Sequence, residues 1–404
     1  MSMLLGLLLA TMIDTNVAGA QDAAPTPEEV LAAADATFLK AFMDPQLADG
    51  FDFPIGDINA KGTYRSPAGK SYKGWYVAVK FAENYEFGIH TGEDWNGAGG
   101  GDSDLGQSVF SIGNGKVIYA QEAAPPFGNI VVIKHQFLEN GRLTTFFSQY
   151  DHLKELLVKR DDNVKRRAKI GTIGKGAGDR FPAHLHFEIR KEAMAKFSPE
   201  FWPSSNQWTL EQVKAHYEAP TDFITTHRKL LHPATTPDLL LAVKHRYQLY
   251  RFQRGVLAKT YEIALSQKPL GHKLEEGDLK LPEGLYHIVQ KATGPFEGKD
   301  WMKFLGAAWL RIDYPNKHDA DSALVAKTIT RDVHDSIANA QRRGKMPPQD
   351  TALGGGIGLH GWADPGWDPI GSRHLTWGCI SLNKEDLLEL NTGIKLGTPI
   401  VIVP

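Results

Sequence analysis

One cysteine in 404 residues excludes two arrangements at once. A disulfide needs two partners, and a thiolate metal site usually needs two to four, so Cys379 serves neither within one chain. Charge of one sign is lacking too. Lys and Arg number 45 against 47 Asp and Glu, a net charge of −2 that carries no nucleic-acid footprint. There are no internal repeats and no coiled-coil heptads. Beyond the first residues no run approaches the ~18 apolar residues of a membrane span, so no transmembrane segment is expected in the mature chain. The N-terminus has an apolar run from Met3 to Ile13 without a preceding Lys or Arg, then small residues Ala18 and Ala20 placed as at a cleavage site. That pattern predicts a signal peptide over residues 1–20 and export to the periplasm or cell envelope. With no cysteine near the cleavage site, the expected form is not a lipoprotein.

What the chain has in quantity is glycine (40) and proline (23), which favour strands and turns over a helical bundle. The length predicts two domains. A helical lead-in is expected over 21–50, within "TPEEVLAAADATFLKAFM". Residues 51–190 then change to short strands such as "YKGWYVAVKF", "NIVVIKH" and "RLTTFFSQY", with Gly, Asn and Pro between them. Within this stretch "GAGGGDSDLG" (97–106) reads as a long loop and the charged run 159–169 as a solvated strand–loop edge. Residues 191–240 form a connecting segment and linker, and strands resume over 241–404 as far as "TPIVIVP". The fold class expected is mainly β, a β-rich α+β chain.

Histidine is where chemistry enters. "GIHTGEDW" sets His90 and Asp94 four apart, and "AHLHFEIR" sets His184 and His186 two apart. Residues two apart on a strand share a face, so both imidazoles can enter one cavity while Leu185 and Phe187 face a core. Two imidazoles and a carboxylate make a three-ligand zinc set with a fourth position left for water. Taken alone, an H-x-H among 15 histidines often arises by chance, and H-x-x-x-D is a weaker signal still.

Order and context add to it. "HTGEDW", "GNIVVIKH", "TTFFSQYDHL", "VKRRAKIGTIGKGAG" and "HLHFEIR" together resemble the lysostaphin-type zinc metallopeptidases over residues 60–190. Those enzymes cut peptide bonds of peptidoglycan on a compact antiparallel β fold. The resemblance implies one Zn2+ held by His90, Asp94 and His186, with His184 and His152 as catalytic imidazoles. The chain departs from the family in the loop 97–106 and in the basic "VKRRAK", which bears on substrate fit.

Cys379 stands in "HLTWGCISLN", behind Gly378. Two readings are open on residues alone: a small buried hydrophobe beside Ile380 and Leu382, or a nucleophile whose proton His360 takes. "KLEEGDLKLPEGLYHI", "LGAAWLRIDYPNKHDAD", "GIGLHG" and "TWGCISLN" resemble the YkuD-type L,D-transpeptidase catalytic domain, a mostly-β sandwich, over residues 244–404. Backbone N–H groups near Gly378 and Cys379 are candidate oxyanion donors. The resemblance implies Cys379 as nucleophile and His360 as base, oriented by a carbonyl near Gly361. Two positions depart: Trp377 stands where the family carries His, and Ser381 where it often carries Arg. His374 is a candidate substitute for the missing imidazole.

Both halves imply one substrate class, peptidoglycan stem peptides, and no nucleic acid. The primary expectation is a two-site wall enzyme. Two alternatives stay open: a zinc endopeptidase with an inactive Cys-domain scaffold, and a non-catalytic wall-binding regulator of another hydrolase.

Overall fold

The computed structural model describes residues 36–85, 88–201, 207–298, 300–361 and 373–404. The expected signal peptide and most of the helical lead-in lie outside them. Of the lead-in, residues 36–42 are helical, with the rings of Phe38 and Phe42 5.7 Å apart.

Strands β1 (Trp75–Val79), β2 (Glu93–Gly97), β3 (Gly115–Ala123), β4 (Gly128–Glu139), β5 (Arg142–Leu156), β6 (Lys169–Ile173) and β7 (Leu185–Lys191) build a first antiparallel sheet. Its spatial order is β3-β4-β5-β7-β2-β1, with β6 pairing the far end of β5. The long β4–β5 hairpin closes through Asn140-Gly141, both at positive φ (46° and 78°). Such a pair matches the twist of the flanking strands, which is why this dipeptide makes tight hairpins. The inner face is a core of Val131, Ile133, Phe137, Phe146, Tyr150, Leu185, Phe187 and Ile189. Leu185 and Phe187 are fully buried, as the alternation predicts.

Two expectations about the flanks need correction. Residues 191–240 are more than a connector: Tyr217 and Glu218 pair with Arg190 and Ile189, and Phe223 and Ile224 of the helix Pro220–Thr226 enter the first core. The basic run is not simply solvated either. Arg166 grips Asp52 through two 2.7 Å hydrogen bonds, and Arg167 donates to the carbonyls of Phe53 and Gly56. These clamps pin residues 49–56, whose Phe51 and Ile55 fill the core. An apolar segment without secondary structure needs such partners for its backbone.

The second sheet runs through β8 (Leu239–Val243), β9 (Gln248–Gln253), β10 (Val256–Glu262), β11 (Gly284–Thr293), β12 (Ala308–Ile312), β13 (Gly358–His360), β14 (Ile380–Ser381) and β15 (Pro399–Val403). Their order is β10-β9-β8-β15-β11-β12-β13-β14. Strand β11 bends the sheet, pairing β15 through Gly284–His287 and β12 through Ile288–Thr293, with a register shift after Ile288. Helices Lys317–Val325, Arg331–Arg342 and Lys384–Gly393 cover it, burying Ala320, Ile337, Leu387 and Leu390 in its core. The chain is β-rich with added helices, as its composition predicts.

Candidate active sites

Two strands assemble the first site. On β7, His186 pairs in register with Asp94 of β2, so an imidazole and a carboxylate emerge side by side from adjacent strands. His186 Nδ1 lies 2.8 Å from Asp94 Oδ1, His90 Nε2 lies 3.1 Å from the same oxygen, and the two nitrogens are 3.1 Å apart. A tetrahedral zinc with bonds of ~2.0–2.1 Å spaces its ligand atoms about 3.3 Å apart, so this triangle fits that ion closely. Three lone-pair donors converging on one point cannot all satisfy one another through shared protons. They suit a cation.

The outer contacts orient the donors. His90 Nδ1 donates to Lys80 O at 3.2 Å, which leaves Nε2 free to ligate. His186 Nε2 donates to Glu188 Oε1 at 3.1 Å, and Thr91 Oγ1 donates to the same oxygen. Carboxylates behind ligating imidazoles fix their tautomer and strengthen them as donors. Burial pulls the His186 pKa down, but the Asp94 and Glu188 carboxylates outweigh it and hold it well above the usual imidazole value. Burial raises Asp94, and the two imidazoles more than reverse that. Glu188 was not found from the sequence, although it continues the alternation of His184 and His186.

His152 arrives by a different route. Between Tyr150 and Leu153 the β5 strand carries one extra residue relative to β4, and His152 sits in that bulge with φ 63°. A bulge re-aims a side chain, here into the cavity. Its Nδ1 donates to Phe127 O at 2.8 Å, so Nε2 keeps its lone pair. His184 Nδ1 donates to Pro182 O at 2.9 Å in the same way. The rings of His152 and His184 are 4.8 Å apart. Burial, then the neighbouring imidazoles, push His152 down to about 3, and burial also lowers His184, so both are neutral bases at pH 7. The five residues line one cavity of about 230 Å³, walled by Tyr85, Phe127, Phe181 and Phe201. The loop 97–106 supports it from behind: Asp102 accepts from Ala183 N at 3.0 Å and from Lys175 Nζ at 2.9 Å.

The second site lies where β13 and β14 run parallel, with Leu359 opposite Ile380 and His360 opposite Ser381. Cys379 directly precedes β14. Its thiol donates to Gly356 O at 3.5 Å, and its amide donates to Thr376 Oγ1 at 3.0 Å. Burial pushes the thiol up to about 11. His360 Nδ1 donates to Gly361 O at 2.6 Å, again leaving Nε2 as the basic nitrogen, and burial lowers its pKa. Gly361 thus contributes its carbonyl, while its amide donates to Leu305 O at 3.0 Å. Gly378, at φ 150°, has no room for a side chain: a Cβ would stand 2.9 Å from Ile357 Cδ1 and 3.0 Å from Lys280 O. His360, Cys379, Phe304, Trp309, Arg311 and Trp377 line a cavity of about 580 Å³. His374 is not among the lining residues; its Nε2 meets Tyr247 OH at 2.6 Å. Arg311 was missed in the sequence, because only the pairing of β12 with β13 brings it to this cavity.

Comparison with known proteins places both halves. Residues 88–198 match peptidase family M23, and residues 237–402 match the L,D-transpeptidase catalytic domain. Lipoprotein NlpD of Yersinia enterocolitica is 36% identical over 85 residues, which are 21% of this chain and 78% of that protein. Murein hydrolase activator NlpD of Salmonella dublin is 31% identical over 134 residues, 33% of this chain and 31% of that protein. Cell division protein DipM of Caulobacter vibrioides is 38% identical over 85 residues, 21% of this chain and 13% of that protein. Of the last two, the chain therefore spans less than a third of the length.

Proposed function

For a chain that belongs to peptidase family M23 through residues 88–198 and carries an L,D-transpeptidase catalytic domain over residues 237–402, we propose a two-site enzyme acting on peptidoglycan stem peptides in the cell envelope. The observation that carries this reading is the convergence of His90, Asp94 and His186, whose ligand atoms all lie within 4.8 Å, on a cavity that also holds two neutral imidazoles. No helix among the described residues is long and apolar enough to cross a membrane.

At the first site His90 Nε2, Asp94 and His186 Nδ1 would hold Zn2+. Bound there, zinc supplies a Lewis acid and a water with a pKa near ~7. His184 Nε2 and His152 Nε2 face the same space with lone pairs, so an imidazole there can take the proton of the attacking water and pass it to the leaving amine as the C–N bond breaks. The aromatic walls exclude bulk water from the scissile peptide. At the second site His360 Nε2 takes the Cys379 proton as sulfur attacks the stem-peptide carbonyl. The C–N bond breaks, the leaving amine receives that proton, and a thioester remains for transfer to an amine or to water.

Metal analysis and adduct formation test the two halves separately. Zinc near one per chain, lost in His186→Ala, supports the first site; zinc near zero in protein purified without chelator removes it. A carbapenem should acylate Cys379, with a mass increase absent in Cys379→Ala; no adduct would leave the second domain a scaffold. The likeness to the Salmonella murein hydrolase activator favours a second reading in which the first domain binds wall and stimulates another hydrolase. That reading expects His186→Ala to keep full activity in an activation assay.

A further inference from the structure

Among the described residues, the Cys379 cavity holds one permanent charge. Among its described lining residues Arg311 is the single cationic side chain and no carboxylate accompanies it. The guanidinium is half-buried. Among the described residues its Nε is buried without a hydrogen-bond partner and its Nη1 meets Met346 Sδ at 3.1 Å, while its Cζ stands 5.6 Å from the Trp309 ring centroid. The second cation that acts on Cys379, Lys273, is already bonded to Asp278 at 2.9 Å. Apart from burial, the one group that perturbs Arg311 is Cys379 itself. Three other part-buried or buried arginines end on anions or carbonyls: Arg166 on Asp52, Arg251 on Asp238, Arg190 on Gln149 and Ser198.

A half-buried guanidinium that meets no anion among the described residues loses hydration without compensation, and its fork geometry matches a carboxylate. Arg311 pairs with Gly358 of β13, where a Cβ would stand 2.3 Å from Leu310 O and 2.8 Å from Trp309 Cη2. Trp309 and Arg311, two apart on β12, therefore share a face toward the cavity.

We propose that Arg311 is a specificity residue which binds a carboxylate of the peptide presented to Cys379. The inference rests on the reading of this cavity as a stem-peptide site. Stem peptides carry free carboxylates close to the bond attacked, and Trp309, Trp377 and Phe304 supply apolar walls for the remainder. Arg311 enters from β12, not from the segment that follows the cysteine, where Ser381 is buried with its hydroxyl unpartnered.

Calorimetry on the full chain carrying His186→Ala and Cys379→Ala, so that neither site turns peptide over, tests this. The probes are the tetrapeptide L-Ala–γ-D-Glu–meso-diaminopimelate–D-Ala and three amides of it, blocked singly at the C-terminus, at the diaminopimelate carboxyl and at the D-Glu α-carboxyl. With Arg311 present, one of the three amides should bind about 10–100-fold more weakly than the acid. With Arg311→Met that difference should fall to within about twofold, and Arg311→Lys should keep part of it as a point charge. Equal binding of all four peptides with Arg311 present overturns the proposal without any variant, and so does an absence of binding or a preference that survives Arg311→Met. If the Arg311-dependent preference is found but the protein with Cys379 forms no thioester with the acid peptide, the carboxylate site stands and the transpeptidase reading fails.

Discussion

His186 Nδ1 lies 2.8 Å from Asp94 Oδ1 because the two residues are register partners on neighbouring antiparallel strands. Sheet pairing thus sets two of the three candidate metal ligands, while His90 stands in the segment just before β2. Rigid strands hold ligands to the tolerance that a small cation needs.

The contact behind the ligands yields a first prediction. Glu188→Gln keeps the shape beside His186 Nε2 and removes the charge, so zinc affinity should fall about 10–100-fold while the ligands stay in place. Competition with a fluorescent chelator measures this. Unchanged affinity would reduce Glu188 to a packing role.

Positioning of His152 can be separated from metal binding. Gly176 has φ 73°, and a Cβ there would stand 2.6 Å from Pro126 O and 3.3 Å from His152 Nδ1. Gly176→Ala should displace the imidazole and lower peptide cleavage by about 10–100-fold, since small misplacements of catalytic groups are that costly. Zinc content, read by mass spectrometry of the metal, should not change.

The cysteine site has a pH signature. With its thiol raised to about 11, Cys379 is protonated at pH 7, and the thiolate fraction grows tenfold per unit toward that value. Alkylation by iodoacetamide should therefore keep rising well above the ordinary thiol range. Acylation by a bound peptide uses His360 as base, and burial keeps that imidazole neutral at pH 7. Its rate should be flat across neutral pH and drop in acid below the usual imidazole value. A peptide rate that instead climbs in parallel with alkylation would remove His360 from the mechanism.

The Arg166 clamp carries stability. Asp52 is 4% exposed and accepts from Arg166, with Arg228 Nη1 at 3.0 Å as a second partner. Arg166→Met should cost about 1–3 kcal/mol, limited by the remaining arginine. Calorimetric unfolding should show an earlier first transition, with carbapenem acylation of Cys379 intact below it.

Much of the first site was legible because period-two alternation is local: the H-x-H spacing alone turns His184 and His186 to one side and Leu185 and Phe187 to the other. Glu188 obeys the same rule and could have been read from "HLHFE". The bulge that aims His152 could not, because it exists only in the pairing of β5 with β4. Arg311 likewise depends on β12 meeting β13, and the clamps of Arg166 and Arg167 span more than 100 residues. In the connector, "TLEQVKAHYE" revealed its helix but not that Tyr217 and Glu218 add a strand to the first sheet.

The most direct test of two working sites on one chain is a muropeptide profile by liquid chromatography and mass spectrometry. Purified sacculi would be incubated with the wild-type protein, His186→Ala and Cys379→Ala. The account predicts that each variant loses a different set of products, and the masses then name the bonds. A Cys379→Ala profile identical to wild type, beside a silent His186→Ala, would contradict it and leave a one-site metallopeptidase.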